Sequence, residues 1–319
     1  MPARRTIGVD MGGSKLLAGA VDTELSVHAR TQRPLLGLDQ AALLDVAVEA
    51  VEEAKALADG EISAVGFGIP CTFDMRTGRA VQAANLPLAD IMFGDVMTER
   101  LGLPVFVDND ANLAVLAEHR AGAGAGCSEV VMLTIGTGIG SGLVLGGSLY
   151  RGAIGAGPEL GHTVIDLDGP PCQGNCPGRG CIEVMASGTA LAREAVRIAG
   201  ERPDSAMAAA LADGEALLGP LVTELAYDGD AGALEVLSLI GTRLGAALTG
   251  IVNTFNPEVV VIGGGVMAAG DLILSPARAV VAERALAPAR DYVRIVPAAF
   301  GVEAGMVGAA AFAFDGLSS

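Results

Sequence analysis

The sequence predicts an α/β fold with mixed sheets. Two observations carry this. Strand-like apolar runs alternate with segments of helical periodicity along all 319 residues. A glycine-tipped strand pair also occurs in each half: "VDMGGSKLLAG" (9–19) and "TIGTGIGSGLVLG" (134–146) share the order apolar strand, glycine tip, apolar strand, which is an internal repeat. The length suits two domains of ordinary size or one large one.

The elements follow in order. "TIGVD" (6–10) is a β-branched run, "MGGS" a turn and "KLLAGAVD" (15–22) a second strand, together a hairpin. Residues 40–58 space apolar side chains at helical intervals with acids opposite. "AVGFGIP" (64–70) is a buried strand ending at Pro70. Residues 104–124 read as strand, polar turn and helix, and 128–147 as strand, glycine turn and strand. Three helices are expected over 189–200, 204–214 and 232–255. Residues 257–271 give a buried strand, a triple glycine and a helix start; 293–301 is another strand, and 303–315 an alanine-rich helix. The expected break between halves lies near Asp110 to Gly124.

Composition narrows the function. Half the residues are hydrophobic, yet aromatics are 3% and Trp is absent, so the core must be filled by Ala, Val, Leu and Ile. Twenty basic against 37 acidic residues give a net charge of −17. Nucleic acid and anionic membrane both need basic surface, so neither is expected as a partner. A polyphosphate ligand would need local backbone amides, a metal ion or a few cations. Val130–Tyr150 is uncharged, but its glycines suit hairpins better than a membrane span. No secretory leader is expected ahead of the first strand. Five cysteines, three of them within ten residues, are no disulfide framework and fit a reducing, cytoplasmic setting.

The glycine tips suggest phosphate chemistry. Gly12 and Gly13 let backbone N–H groups approach an anion, Asp10 could hold Mg²⁺, and Lys15 adds positive charge. Gly136, Thr137 and Gly138 offer a second tip with a hydroxyl donor. In the third, Gly263 to Gly265, glycines would let an adenine ring lie against the backbone. Each tip alone is equally a structural turn. None matches the Walker pattern or a strand–GxGxxG–helix unit. In "DND" (108–110), a carboxylate ends a buried strand and opens a helix. Asn109 or Asp110 would cap that helix, and an ionised Asp110 could also accept a hydroxyl proton during phosphoryl transfer.

In this order, "VDMGGSK", "GIP", "VFVDNDANLAVLAE", "TIGTGIGSGLV", "ELGH", the cysteine cluster with "IE", and "VVVIGGGV" resemble ROK-family sugar kinases from about residue 6 to 312, most of all the bacterial ATP-dependent glucokinases. The resemblance implies a two-lobe actin-like, ribonuclease H-like fold with a cleft between lobes. It implies lobes of 1–115 plus about 302–319, and of 116–301 carrying the cysteine knuckle. It implies γ-phosphoryl transfer from ATP to a sugar hydroxyl, C6 for glucose, with Asp110 as general base. Asn109, Asp110, Glu159, His162, Glu183 and, as a further candidate, Asn85 would bind the sugar. Asp10, Gly12, Gly13, Ser14, Lys15, Gly136, Thr137 and Gly138 would surround the phosphates and Mg²⁺, with Gly264 and Gly265 beside the adenosine. A homodimer or homotetramer is expected. N-acetylglucosamine, N-acetylmannosamine, mannose and fructose remain alternative acceptors, and a non-catalytic sugar sensor of the same family an alternative role. Its repressors carry a DNA-binding module ahead of the first hairpin, which is not expected with nine residues before Asp10. Three departures stand out: the cysteine block is C-x3-C-P-G-x-G-C instead of C-x-C-G-x2-G-C, "GIPC" replaces G-x-P-G, and Ser14 replaces Thr.

His162, Cys172, Cys176 and Cys181 supply three thiolates and an imidazole within twenty residues, a set suited to a closed, structural Zn²⁺ site. A disulfide would leave one cysteine and the histidine unexplained. Zinc on one imidazole nitrogen would leave the other as an oriented N–H donor beside Glu159 and Glu183. His28 and His119 are expected to be solvated or packed.

Overall fold

The structure is a computed structural model and describes residues 4–74, 77–83 and 86–318. The chain begins with the strands β1 (Arg4–Met11), β2 (Lys15–Asp22) and β3 (Val27–Pro34), followed by α1 (Gln40–Leu57). Next come β4 (Glu61–Ile69), β5 (Cys71–Asp74), β6 (Arg79–Ala83), β7 (Ala89–Ile91), α2 (Phe93–Leu101), β8 (Val105–Asn109) and α3 (Asp110–Ala121). The second glycine tip joins β9 (Val130–Ile135) to β10 (Ile139–Leu145), and β11 (Ser148–Tyr150) follows. Helices then dominate: α4 (Ile182–Ala186), α5 (Gly188–Glu201), α6 (Ala206–Ala212), α7 (Gly219–Tyr227) and α8 (Ala231–Phe255). The chain closes with β12 (Val259–Gly263), α9 (Asp271–Arg284), α10 (Ala289–Tyr292), β13 (Arg294–Pro297) and α11 (Ala304–Gly316).

The internal repeat is a repeat of sheets. One five-stranded sheet runs β3-β2-β1-β4-β8 and the other β11-β10-β9-β12-β13, so the strands keep the same sequential rank in both. In each, a glycine-tipped hairpin supplies the second and third positions of the order. The chain divides into two compact units: residues 1–132, 142–158 and 298–319 form one, and 133–141 and 159–297 the other. Helix α3 lies wholly within the first.

Local chemistry accounts for the helix ends. Asp39, Asn109, Ser187, Ser205 and Asp230 each accept a backbone N–H from the first turn of the helix they cap. Helix α8 is long and apolar enough to cross a membrane by length and composition, but Val236, Leu237, Ile240, Leu244 and Leu248 are fully buried, which makes it a core helix. After the triple glycine the chain forms a 3₁₀ turn over Gly265–Ala269 instead of starting a helix directly.

In the first unit, α11 packs on β1, β4 and α3, and Thr6 donates its hydroxyl to the Ala310 carbonyl at 2.9 Å. Glu118, fully buried near the end of α3, ties the exit from that helix to the segment leading into α11. Its carboxylate accepts N–H groups from Ala123 (2.8 Å), Ala299 (3.0 Å) and Phe300 (2.8 Å). The small sheet β5-β6-β7 adds Cys71, Phe73 and Ala80 to a second core, built with β1, β4 and α1.

Candidate active site

In the first unit, strand register assembles the carboxylates. Asp10 of β1 pairs with Gly68 of β4, and Gly68 with Asp108 of β8. The three strand ends therefore lie side by side, about 5 Å apart per strand, and α3 starts where β8 stops. Burial, with the negative charge of Asp110 adding to it and Lys15 opposing, raises the Asp10 carboxyl to about 7. A divalent cation beside Asp10 would relieve that repulsion.

The "DND" turn is heavily bonded. Asn109 caps α3 through Oδ1, accepting from the N–H of Ala111 (3.0 Å) and of Asn112 (3.3 Å). Its amide nitrogen is left as a donor. Asp110 opens the helix and accepts from Ala111 N–H at 2.9 Å. Asp108, 3% exposed, takes Asn109 N–H (2.7 Å) and Asn112 Nδ2 (3.1 Å) on Oδ1, and Arg151 Nε (2.6 Å) on Oδ2. The Arg151 guanidinium lies 5.5 Å from the Phe312 ring centroid, and Phe312 meets Phe106 edge-on.

Beside these groups the first glycine tip closes on itself, because Gly12 N–H donates to the Lys15 carbonyl at 2.9 Å. The Gly12 N–H is thereby taken up within the turn. A pocket of about 440 Å³ opens there, lined by Asp10, Gly12, Lys15, Arg30 and Glu303. Asn85 lies outside the described residues.

In the second unit, the tip between β9 and β10 is braced from three sides. Gly136 N–H closes it onto the Gly138 carbonyl (2.9 Å). Helix α5 holds its carbonyls: Gly188 N–H donates to Gly136 (2.8 Å) and the Thr189 hydroxyl to Thr137 (2.8 Å). Glu183, on α4, accepts Ile139 N–H on Oε2 at 2.8 Å. A Cβ at Gly138 would lie 2.3 Å from that same oxygen, so a side chain there would have to displace the Glu183 carboxylate. The "ELGH" turn rests on the same strand, with Leu160 N–H donating to the Ser141 hydroxyl at 2.9 Å. Gly264, at φ 87°, approaches β9 so closely that a Cβ would meet the Ile135 carbonyl at 2.4 Å, and Gly265 beside it is exposed.

The cysteine block gathers its four candidates. The donor atoms of His162, Cys172, Cys176 and Cys181 lie within 4.8 Å of one another. Cys172 Sγ is 3.5 Å from His162 Nδ1, and Cys176 Sγ is 4.0 Å from Cys181 Sγ. A tetrahedral zinc site with ordinary bond lengths separates two sulfurs by about 3.8 Å and a sulfur from a nitrogen by about 3.5 Å, so the set fits that ion. Burial, with the Cys181 and Cys176 thiols adding to it, pushes the Cys172 thiol up to about 12, so a metal must displace its proton. The longer Cys172–Cys176 spacing does not disperse the set. Instead Gln173, within it, donates to the Ser187 hydroxyl at 3.3 Å, the cap of α5. With Nδ1 facing the sulfurs, His162 Nε2 is the outward nitrogen, 4.0 Å from Glu159 Oε2. His119 packs against the Cys127 carbonyl at 3.0 Å, and His28 pairs with Asp22.

Three features escape sequence reasoning: the Asp108–Arg151 pair, the bond from Glu183 to the second tip, and the Glu118 clamp. Each joins residues far apart in sequence, and no spacing rule announces it.

The chain resembles known proteins along nearly its whole length. The ROK family profile matches residues 6–315. A glucokinase of Thermotoga maritima is 35% identical over 313 residues, 97% of each chain. One of Halalkalibacterium halodurans is 34% identical over 313 residues, 97% of this chain and 94% of that one. The crystal structure of a ROK family glucokinase from Streptomyces griseus, in complex with glucose and AMPPNP, superposes with a TM-score of 0.87 at 33% identity, covering 98% of this chain and 99% of that chain. The fold is the two-lobe actin-like fold of the ROK sugar kinases. By the match along nearly its whole length, this chain belongs to the ROK family.

Proposed function

We propose that this protein is an ATP- and Mg²⁺-dependent hexose kinase, with glucose the favoured acceptor. The observation that carries the reading is Asp110, opening α3 beside the buried Asp10 in a chain one-third identical to glucokinases along almost its full length. In this reading Asp110 accepts the proton of the sugar C6 hydroxyl as its oxygen attacks the γ-phosphorus and the bond to the ADP oxygen breaks. Asn109 Nδ2, Glu159, His162 Nε2 and Glu183 contact sugar hydroxyls, and Asn85 is a further contact. The tips with Gly12, Gly13, Ser14 and Lys15, and with Gly136, Thr137 and Gly138, serve the phosphates; Gly264 and Gly265 lie by the adenosine. Asp10 holds the magnesium ion, which would neutralise charge developing on the phosphates.

Zinc in a closed four-donor site would supply rigidity, not a nucleophile. His162, Cys172, Cys176 and Cys181 would hold it, fixing the His162 proton on Nε2. The thiol set suits a reducing cytoplasm, and we place the enzyme there as a homodimer or homotetramer.

The test is a coupled ADP-release assay with glucose, mannose, fructose, N-acetylglucosamine and N-acetylmannosamine, run with ATP and with polyphosphate. Glucose with ATP should give the highest kcat/KM. Sugar binding without turnover on any of these would make the protein a sensor instead, and neither binding nor turnover would sink both readings.

A further inference from the structure

Glu183 stands at a junction. Its Oε2 accepts Ile139 N–H at 2.8 Å, at the point where the glycine tip turns into β10. The same oxygen fills the space beside Gly138, in the tip itself, so that a Cβ there would have to push the carboxylate aside. Glu183 also sits two residues beyond Cys181, which caps α4. The neighbouring helix α5 grips the tip's other carbonyls through Gly188 and Thr189, and its cap Ser187 is bonded to Gln173 of the cysteine block. Every brace on the tip therefore leads back to the cysteine block or to the carboxylate following it.

We propose that Glu183 is a positioning residue for the phosphate-binding tip, one carboxylate oxygen holding Ile139 N–H while the other meets the sugar, so that sugar binding and nucleotide binding are coupled through this side chain. The inference rests on the hexose-kinase reading for the identity of the two ligands. The coupling has a physical basis. A carboxylate drawn toward a sugar hydroxyl fixes the tip it already touches, and an ordered tip costs less to complete around a triphosphate. By linkage the effect is reciprocal.

A residue that only contacts sugar would leave nucleotide affinity untouched in the absence of sugar. The full-length protein is titrated calorimetrically with AMPPNP–Mg²⁺ alone, with glucose alone, and with each in the presence of the other. Glu183→Ala, which strips the acceptor from Ile139, should raise the Kd for AMPPNP alone about tenfold, the scale of one charge-assisted hydrogen bond. Glu183→Gln keeps an acceptor oxygen and should restore nucleotide affinity to within about threefold of wild type. Gly138→Ala pushes the carboxylate aside without deleting it, and should weaken glucose binding measured with no nucleotide present. An AMPPNP Kd in Glu183→Ala within twofold of wild type overturns the proposal, as does failure of Gln to rescue. Should Glu183→Ala not fold, an unchanged glucose Kd in Gly138→Ala overturns it by itself. A wild-type protein that binds neither ligand would sink the hexose-kinase reading instead, which keeps the two failures distinct.

Discussion

Arg151 donates from Nε to Asp108 Oδ2 at 2.6 Å, and Asp108 in turn holds Asn109 N–H and the Asn112 amide on its other oxygen. The backbone turn that presents Asp110 is thus fixed from behind by one ion pair, its carboxylate buried and its guanidinium half-buried.

Replacing Arg151 by Met leaves the Asp108 carboxylate buried without its cation. The expected cost is about 3 kcal/mol of unfolding free energy in urea titrations. Adding Asp108→Asn to Arg151→Met should recover part of that loss, because the uncompensated charge is gone. Equal stability of wild type and Arg151→Met would show the pair to be dispensable.

Asp110→Asn removes the proton acceptor while keeping shape and the cap at Asn109. We expect kcat to fall by at least about 10³-fold, with the glucose Kd within a few-fold of wild type. A variant that retains activity would refute the base assignment.

Zinc content is directly measurable. Purified protein should carry about one Zn²⁺ per chain, and Cys176→Ser should lower it. Prolonged chelation should lower both the melting temperature and glucose affinity, since the same block positions His162 and Glu183. Absence of metal, with three reactive thiols in the block, would overturn the site.

Glu194 gives a pH signature. Burial alone would raise its carboxyl, but hydrogen bonds from Arg197 and Arg243, with Arg193 close by, outweigh it and hold the group at about 2. A depressed carboxyl contributes stability that is full above its unfolded value near 4.5 and lost as pH falls toward 2. Glu194→Gln should therefore cost on the order of 2 kcal/mol at pH 7. The gap to wild type should narrow between pH 5 and pH 3 in urea titrations. A gap independent of pH would mean that the arginines do not act through the charge.

Much of the fold was legible in the sequence because its signals are local. β2 was read at its observed bounds, Lys15–Asp22, because apolar alternation and a glycine turn delimit it. Helix α1 follows from apolar spacing and α11 from its alanine content. β3 was missed because its exposed face is charged and polar, and the short strands β5 to β7 because three to five residues carry too little pattern. At the site, the glycine tips, the "DND" turn and the Cys3His set were all visible as short motifs.

The sequence by itself determined which residues could do chemistry: carboxylates at strand ends, glycines where backbone must come close, and thiols in a cluster. Tertiary structure decided how each is used. Folding raises Asp10 first by burying it and then, through the parallel register across β1, β4 and β8, by setting it in the field of Asp110. A helix 44 residues downstream turns Glu183 into the brace of Ile139. Charge and hydrogen-bond interactions depend on distances of a few ångströms between groups remote in the chain, and only the folded backbone sets those distances.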